Sequence, residues 1–129
     1  MRRHKILVVD RDQKARKNLS ALFNGSHYDV VTTPSAAHAI AKIVQKEEPI
    51  VILGDSFEER ISPVDVIALM RKCNRNLRII LVSDDSSLET LRQVRADGIF
   101  YHALMPTTAE DNEELCSVVS CAFEGMQPA

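Results

Sequence analysis

Two hydrophobic patterns alternate along the chain. The first is a short unbroken apolar run, seen at Ile6-Leu7-Val8-Val9, Ile50-Val51-Ile52-Leu53 and Ile79-Ile80-Leu81-Val82. Runs this short and apolar at every position predict strands buried on both faces, as in a parallel sheet. Two weaker segments join them: the β-branched run Asp29-Val30-Val31-Thr32 and the stretch 99–104. The second pattern has helical spacing. Ala15, Leu19, Leu22 and Phe23 stand at i, i+4, i+7 and i+8. Ala36, Ile40, Ile43 and Val44 line a second helix, and Val66, Ile67, Leu69, Met70 and Cys73 a third. Leu88, Leu91 and Val94 face inward on a fourth, and Leu115, Val118, Val119 and Ala122 on a fifth.

The punctuation agrees with this division. Asn24-Gly25-Ser26 stops the first helix, with Gly25 as a left-handed cap. Ser35 is placed to cap the second helix, which ends at Glu47-Glu48-Pro49. Pro63 suits the first position of the third helix, and Asn74-Arg75-Asn76 makes a turn after it. Ser86 or Ser87 caps the fourth helix and Asp97-Gly98 closes it. Met105-Pro106 breaks the fifth strand, and Thr107 with Glu110 three residues later has the spacing of a capping box. Strand and helix therefore alternate five times. That order predicts an α/β fold: a doubly wound five-stranded parallel sheet, (βα)5, in three α/β/α layers with right-handed crossovers. One domain is expected over 1–129, with an ordered core over 4–124 and a frayed tail over 125–129.

Composition narrows the class. The chain has 129 residues, 45% hydrophobic and 26% charged, so it can bury a proper core and is expected to be soluble and globular. A net charge of −2 gives no reason to expect nucleic acid as a partner, and Arg2-Arg3-His4-Lys5 is only a short solvated lead-in. No apolar run reaches membrane-spanning length, and the run behind the basic start ends too early for a signal peptide. Three cysteines, Cys73, Cys116 and Cys121, have no metal-type spacing and suit reduced thiols in a cytoplasmic protein.

Candidate chemistry gathers where strands end. The first strand runs into Asp10, the third into Gly54-Asp55, and the fourth into Ser83-Asp84-Asp85. In open α/β sheets the carboxyl edge is where ligands bind. The set Ile6-Leu7-Val8-Val9-Asp10-Arg11-Asp12 with Arg16 and Leu19, then 50–55, Val82-Ser83, Gly98 and Met105-Pro106, resembles the receiver domain of two-component response regulators, a flavodoxin-like family that includes the chemotaxis regulator. The resemblance covers nearly the whole chain, and its strength lies in the order and spacing of these landmarks.

The resemblance implies roles. Asp55 stands at the phosphoacceptor position, which a histidine kinase would serve. Two acidic residues after the first strand would hold magnesium (Mg2+); Asp10 matches the first, and Arg11 replaces the second. Asp10 and Asp55 are thus the candidate metal ligands. Ser83 matches the hydroxyl that takes a phosphoryl oxygen. Met105 stands where a lysine would contact the phosphoryl group. His102 falls at the aromatic switch position, with Tyr101 just before it. Asp84, where a small residue is common, adds a carboxylate beside the pocket. In the loop after Asp55 the usual Pro and Gly are absent or moved, and Phe57 stands where a polar residue often lies.

These departures set the expected function. Arg11 in place of a carboxylate moves the local charge by about two units in the positive direction, which repels a divalent cation at close range. Met105 removes a second cation. Arg11 is expected to pair with Asp55 or Asp84 and fill the ion's place. The bland alternatives are that Asp10 caps a helix or pairs with Arg11, that Asp55 is a salt-bridge partner, that Ser83 satisfies nearby backbone and that His102 is a half-buried strand residue with one hydrogen bond. The expected function is a stand-alone, degenerate receiver-like domain of phosphorelay signalling: a protein-interaction module with no cofactor, or with Mg2+ only if the pocket works. The alternative is a working receiver phosphorylated at Asp55 with weak or no magnesium dependence. Expected partners are a histidine kinase or a downstream effector, with a homodimer possible through the face of the fourth helix, fifth strand and fifth helix. No enzyme is expected, since the first strand is followed by no Gly-rich phosphate loop and no nucleophile–base pair stands out.

Overall fold

The computed structural model describes residues 4–24, 28–45, 50–83, 92 and 98–124. They form β1 (His4–Val9), α1 (Gln13–Phe23), β2 (Tyr28–Thr33), α2 (Ala36–Val44), β3 (Ile50–Leu53), α3 (Pro63–Cys73), β4 (Ile79–Val82), β5 (Tyr101–Ala103) and a C-terminal helix, α4 (Ala109–Glu124). Gly25, the Glu47-Glu48-Pro49 stop, Asp84, the expected helix carrying Leu88, Leu91 and Val94 with its Ser86 or Ser87 cap, Asp97 and the tail lie outside the described residues.

The five strands make one parallel sheet in the order β2-β1-β3-β4-β5. The apolar runs take the centre, where both faces are covered and all eight residues of β3 and β4 are buried. Alternate residues face opposite ways along a strand, so each run feeds two cores. Leu7, Val9, Val51, Leu53, Ile79 and Leu81 meet α2 and α3 on one face. Ile6, Val8, Ile50, Ile52, Ile80 and Val82 meet α1 and α4 on the other. Each such side chain contributes about 1.5–3 kcal/mol by leaving water, which makes the double-sided sheet the main source of stability.

Helix starts follow local chemistry. Asp12, Ser35 and Ser62 are the N-caps of α1, α2 and α3, each side chain accepting from a backbone N–H in the first turn. Pro63 opens α3 as its sequence position predicts. Three expectations need correction. Val44, Leu69 and Cys73 are exposed; the buried faces are Ala36, Ala39 and Ile43 on α2 and Val66, Ile67 and Met70 on α3. Val44 and Leu69 each sit one residue, about 100° of helix, from a buried position. The fifth strand is shorter than 99–104, because only Tyr101–Ala103 pairs with β4. The capping box is displaced by one residue. Asp111 Oδ2 accepts from the Thr108 N–H at 3.3 Å while Thr108 Oγ1 accepts from the Asp111 N–H at 3.1 Å, so Glu110 is not the reciprocal partner.

Candidate functional site

Strand register brings the candidate residues together. Val9 pairs with Leu53, so the residues one step on, Asp10 and Gly54, lie side by side. Leu53 pairs with Leu81, so two steps on Asp55 stands beside Ser83. The ladder continues past the strand ends, with Gly54 N–H donating to the Val9 carbonyl at 2.7 Å and Ser83 N–H to the Ala103 carbonyl at 3.0 Å. Ser83 Oγ donates to Asp55 Oδ2 at 3.3 Å. Asp10, Asp55 and Ser83 therefore share one edge of the sheet, as the sequence predicted.

Their environments differ. Asp10 and Ser83 are buried, while Asp55 is open to solvent. Asp10 Oδ1 accepts from the Asp12 N–H at 2.9 Å. Desolvation by burial raises the Asp10 carboxyl above the usual carboxylate range; the Asp12 N–H opposes this, and the Asp55 charge adds to it. Gly54 is small by necessity, because a Cβ there would stand 2.2 Å from Asp10 Oδ2.

Arg11 is exposed and lines a cleft of about 560 Å³ with Asp55, Ser56, Phe57 and Arg60. Its backbone N–H donates to the Ser56 carbonyl at 2.9 Å. Among the described residues no ion pair joins Arg11 to Asp55, and Asp84, the other expected partner, lies outside them. Met105 is half-buried and packs against the core cluster shared by α1 and α4. His102 is half-buried in β5 and pairs in register with Leu81. Beside it, the Tyr101 hydroxyl donates to Glu114 Oε1 at 2.7 Å, tying β5 to α4 and raising the Tyr101 hydroxyl's pKa.

Two contributors escaped the sequence reading. In the sequence Arg16 is only a family landmark, yet its Nη1 donates to the carbonyls of Asp10 at 2.7 Å and Arg11 at 2.9 Å, fixing the turn that presents both. Glu59, in the loop after Asp55, reaches the start of α2. Its Oε2 accepts from Ser35 Oγ at 2.7 Å and from the Ala37 N–H at 3.1 Å, and its Oε1 from the Ala36 N–H at 2.8 Å. These bonds, the Ser35 hydroxyl foremost, hold its carboxyl at about 2. No short-range pattern could have revealed a contact across 24 residues.

A divalent cation needs several oxygen ligands, and magnesium is commonly held through one or two carboxylates plus waters. Asp10 and Asp55 could supply two carboxylates. Asp12 is committed to α1, accepting from the Lys14 N–H at 3.0 Å, and Arg11 brings a guanidinium to the same rim. Among the described residues no three His, Cys, Asp or Glu side chains gather to hold a metal ion. With Arg11 where a second acidic residue would stand, the described residues offer magnesium two carboxylates, Asp10 and Asp55.

Several solved structures with the same architecture are receiver domains. A signal receiver domain of an HD domain-containing protein from Pseudomonas fluorescens Pf-5 superposes with a TM-score of 0.85 at 21% identity, covering 96% of this chain and 97% of that one. A response regulator receiver domain protein from Clostridium thermocellum gives 0.82 at 20% identity, covering 95% and 96%. The beryllofluoride-activated NtrC4 receiver domain dimer gives 0.83 at 20% identity, covering 95% and 98%. At this identity the likeness speaks for the fold. No curated protein sequence matches the chain. The model of the response regulator receiver domain matches residues 6–119, nearly the whole of the sheet and its helices. With the match in sequence, the β2-β1-β3-β4-β5 sheet and the acidic edge all in agreement, the chain belongs to the response regulator receiver domain family of two-component signalling.

Proposed function

We propose that this receiver is degenerate at its phosphoryl pocket and acts as a protein-interaction module, independently of magnesium-dependent phosphorylation. The observation that carries this is the fate of the two compensating charges. Phosphorylating Asp55 would add negative charge to an edge that already holds the buried Asp10 carboxylate. Stabilising that charge is work for preorganised cations. Met105, at the lysine position, carries no charge and packs, half-buried, against the core. Arg11, at an acidic position, puts a positive charge on the rim where a metal ion would approach. On this reading Asp55 and Ser83 remain as a hydrogen-bonded pair within a recognition surface.

The partner would be a signalling protein, either a histidine kinase or a downstream effector, in the cytoplasm. No helix among the described residues is long and apolar enough to cross a membrane. Self-association is a second form of the same role. The similar beryllofluoride-activated NtrC4 receiver is a dimer; in this chain self-association would use the face of β5 and α4 that the family resemblance implies.

The test is a magnesium titration by calorimetry, with and without beryllofluoride as the phosphoryl mimic. Neither addition is expected to produce binding. Mimic-dependent magnesium binding that disappears in Asp55→Ala would overturn the proposal and make Asp55 a working phosphoacceptor.

A further inference from the structure

The loop that follows Asp55 is held by a device that the family resemblance does not supply. It carries Asp55 and Ser56 and leads to α3, and the Pro and Gly usual in it are absent or moved. A connection of this kind, polar and exposed at most positions, would ordinarily belong to the mobile part of a fold. Here it is fastened at four successive residues. The Ser56 carbonyl accepts from the Arg11 N–H at 2.9 Å. Phe57 is 3% exposed and lies in the core cluster with α2 and α3. The Glu58 N–H donates to the Pro34 carbonyl at 2.9 Å. Glu59 then accepts from the Ser35 hydroxyl and from the N–H groups of Ala36 and Ala37.

The last of these contacts is the strongest in kind. The first N–H groups of a helix have no partner within it and carry the positive end of its dipole. A carboxylate that takes two of them, together with the capping hydroxyl, makes charge-assisted bonds, which are roughly twice as strong as neutral ones. Glu59 therefore does for α2 what a bound anion would do, but from a different part of the chain. The remaining cap of α2 is consistent with this, because Ser35 Oγ also accepts from the His38 N–H at 3.1 Å while it donates to Glu59.

We propose that Glu59 is the latch of the Asp55 cleft: by occupying the N-terminus of α2 it fixes the loop 55–60, and through it the relative placement of Arg11, Asp55 and Arg60 on the rim. Glu59 is a positioning residue in this arrangement. Its carboxylate is spent on α2, so it adds no free acceptor to the cleft. The consequence for function rests on the reading above of the cleft as a recognition surface. A latched loop presents that surface already formed, so a partner does not have to order it on binding.

Hydrogen exchange read by mass spectrometry on the full chain tests the latch directly. The comparison is wild type with Glu59→Gln, Glu59→Ala and the neighbouring control Glu58→Gln. With Glu59→Ala, exchange in peptides spanning 54–62 is expected to rise about tenfold, including the Glu58 amide, and the Arg11 amide is expected to follow. Glu59→Gln keeps the shape but loses the charge, so it is expected to fall between; Glu58→Gln is expected to match wild type. Strands β1, β3 and β4 are expected to be unchanged in every variant. Faster exchange confined to 36–38, with the loop unchanged, would reduce Glu59 to a helix cap and overturn the latch. No change in either segment would overturn it as well, showing that the Ser56, Phe57 and Glu58 contacts hold the loop without it. So would a uniform rise over the sheet in Glu59→Gln, which would make Glu59 a residue of global stability. The magnesium–beryllofluoride titration reads the function of the cleft and not the latch, so the two readings fail separately.

Discussion

Replacing Gly54 by alanine tests the packing of the sheet edge at its tightest point. The added methyl would lie 2.2 Å from Asp10 Oδ2, 2.5 Å from Asp10 Cγ and 3.0 Å from Asp10 Cβ. A long flexible side chain could swing away from such an overlap, but Asp10 is short and buried, and its Oδ1 is held by the Asp12 N–H. The carboxylate must therefore leave its place. Overpacking of this kind costs about 1–3 kcal/mol, and loss of the Asp12 bond adds about 1 kcal/mol. A total near 2–4 kcal/mol corresponds to a fall in Tm of roughly 7–15 °C for a domain of this size. Thermal melts read by circular dichroism measure it. The mechanism is checked by repeating Gly54→Ala in an Asp10→Ala background. There the two closest atoms are gone and only the 3.0 Å contact with Cβ remains, so the substitution should cost at most about 1 kcal/mol. The coupling energy of that cycle should then be about 1–3 kcal/mol. A Gly54→Ala protein that melts within 2 °C of wild type, or one that loses the same stability in both backgrounds, would refute the idea that Asp10 is packed immovably over Gly54.

Two further outcomes follow from individual bonds. Burial raises the Asp10 carboxyl, so between its unfolded and folded pKa values the native state binds the extra proton and stability falls as pH rises. Asp10→Asn keeps an acceptor for the Asp12 N–H and removes the buried charge, so it should be more stable than wild type at pH 7, with the difference shrinking as pH falls toward 4 in a series of urea melts. The displaced capping box predicts that Thr108→Ala costs about 1 kcal/mol whereas Glu110→Gln is neutral within about 0.5 kcal/mol. Denaturant midpoints for the two variants decide it, and the reverse order would restore Thr107 and Glu110 as the box.

Much of this protein was decided by the sequence alone. The three unbroken apolar runs are four residues long and rich in Val and Ile, too short for helices, and a strand apolar at every position must be covered on both faces. Ser35, Ser62 and Pro63 act over three or four residues, so their capping roles were legible where they stand. The meeting of Asp10, Asp55 and Ser83 at one edge was also legible, since each ends a central strand and parallel strands end together. Tertiary structure decided what depends on distance through space. Which of Ile40, Ile43 and Val44 faces the core turns on the angle at which α2 lies on the sheet, and that angle is set by partners elsewhere in the chain. Whether Met105 reaches the cleft or the core depends on how β5 ends against α4. In one dimension Gly54 is only the residue that follows a strand; in three it is the floor under Asp10. Glu59 joins Ser35 across 24 positions, and nothing local in either residue announces the other. Local chemistry acts through neighbours along the chain and can be read from them; a contact made by folding exists only once the two elements have been brought together by the burial of their apolar faces.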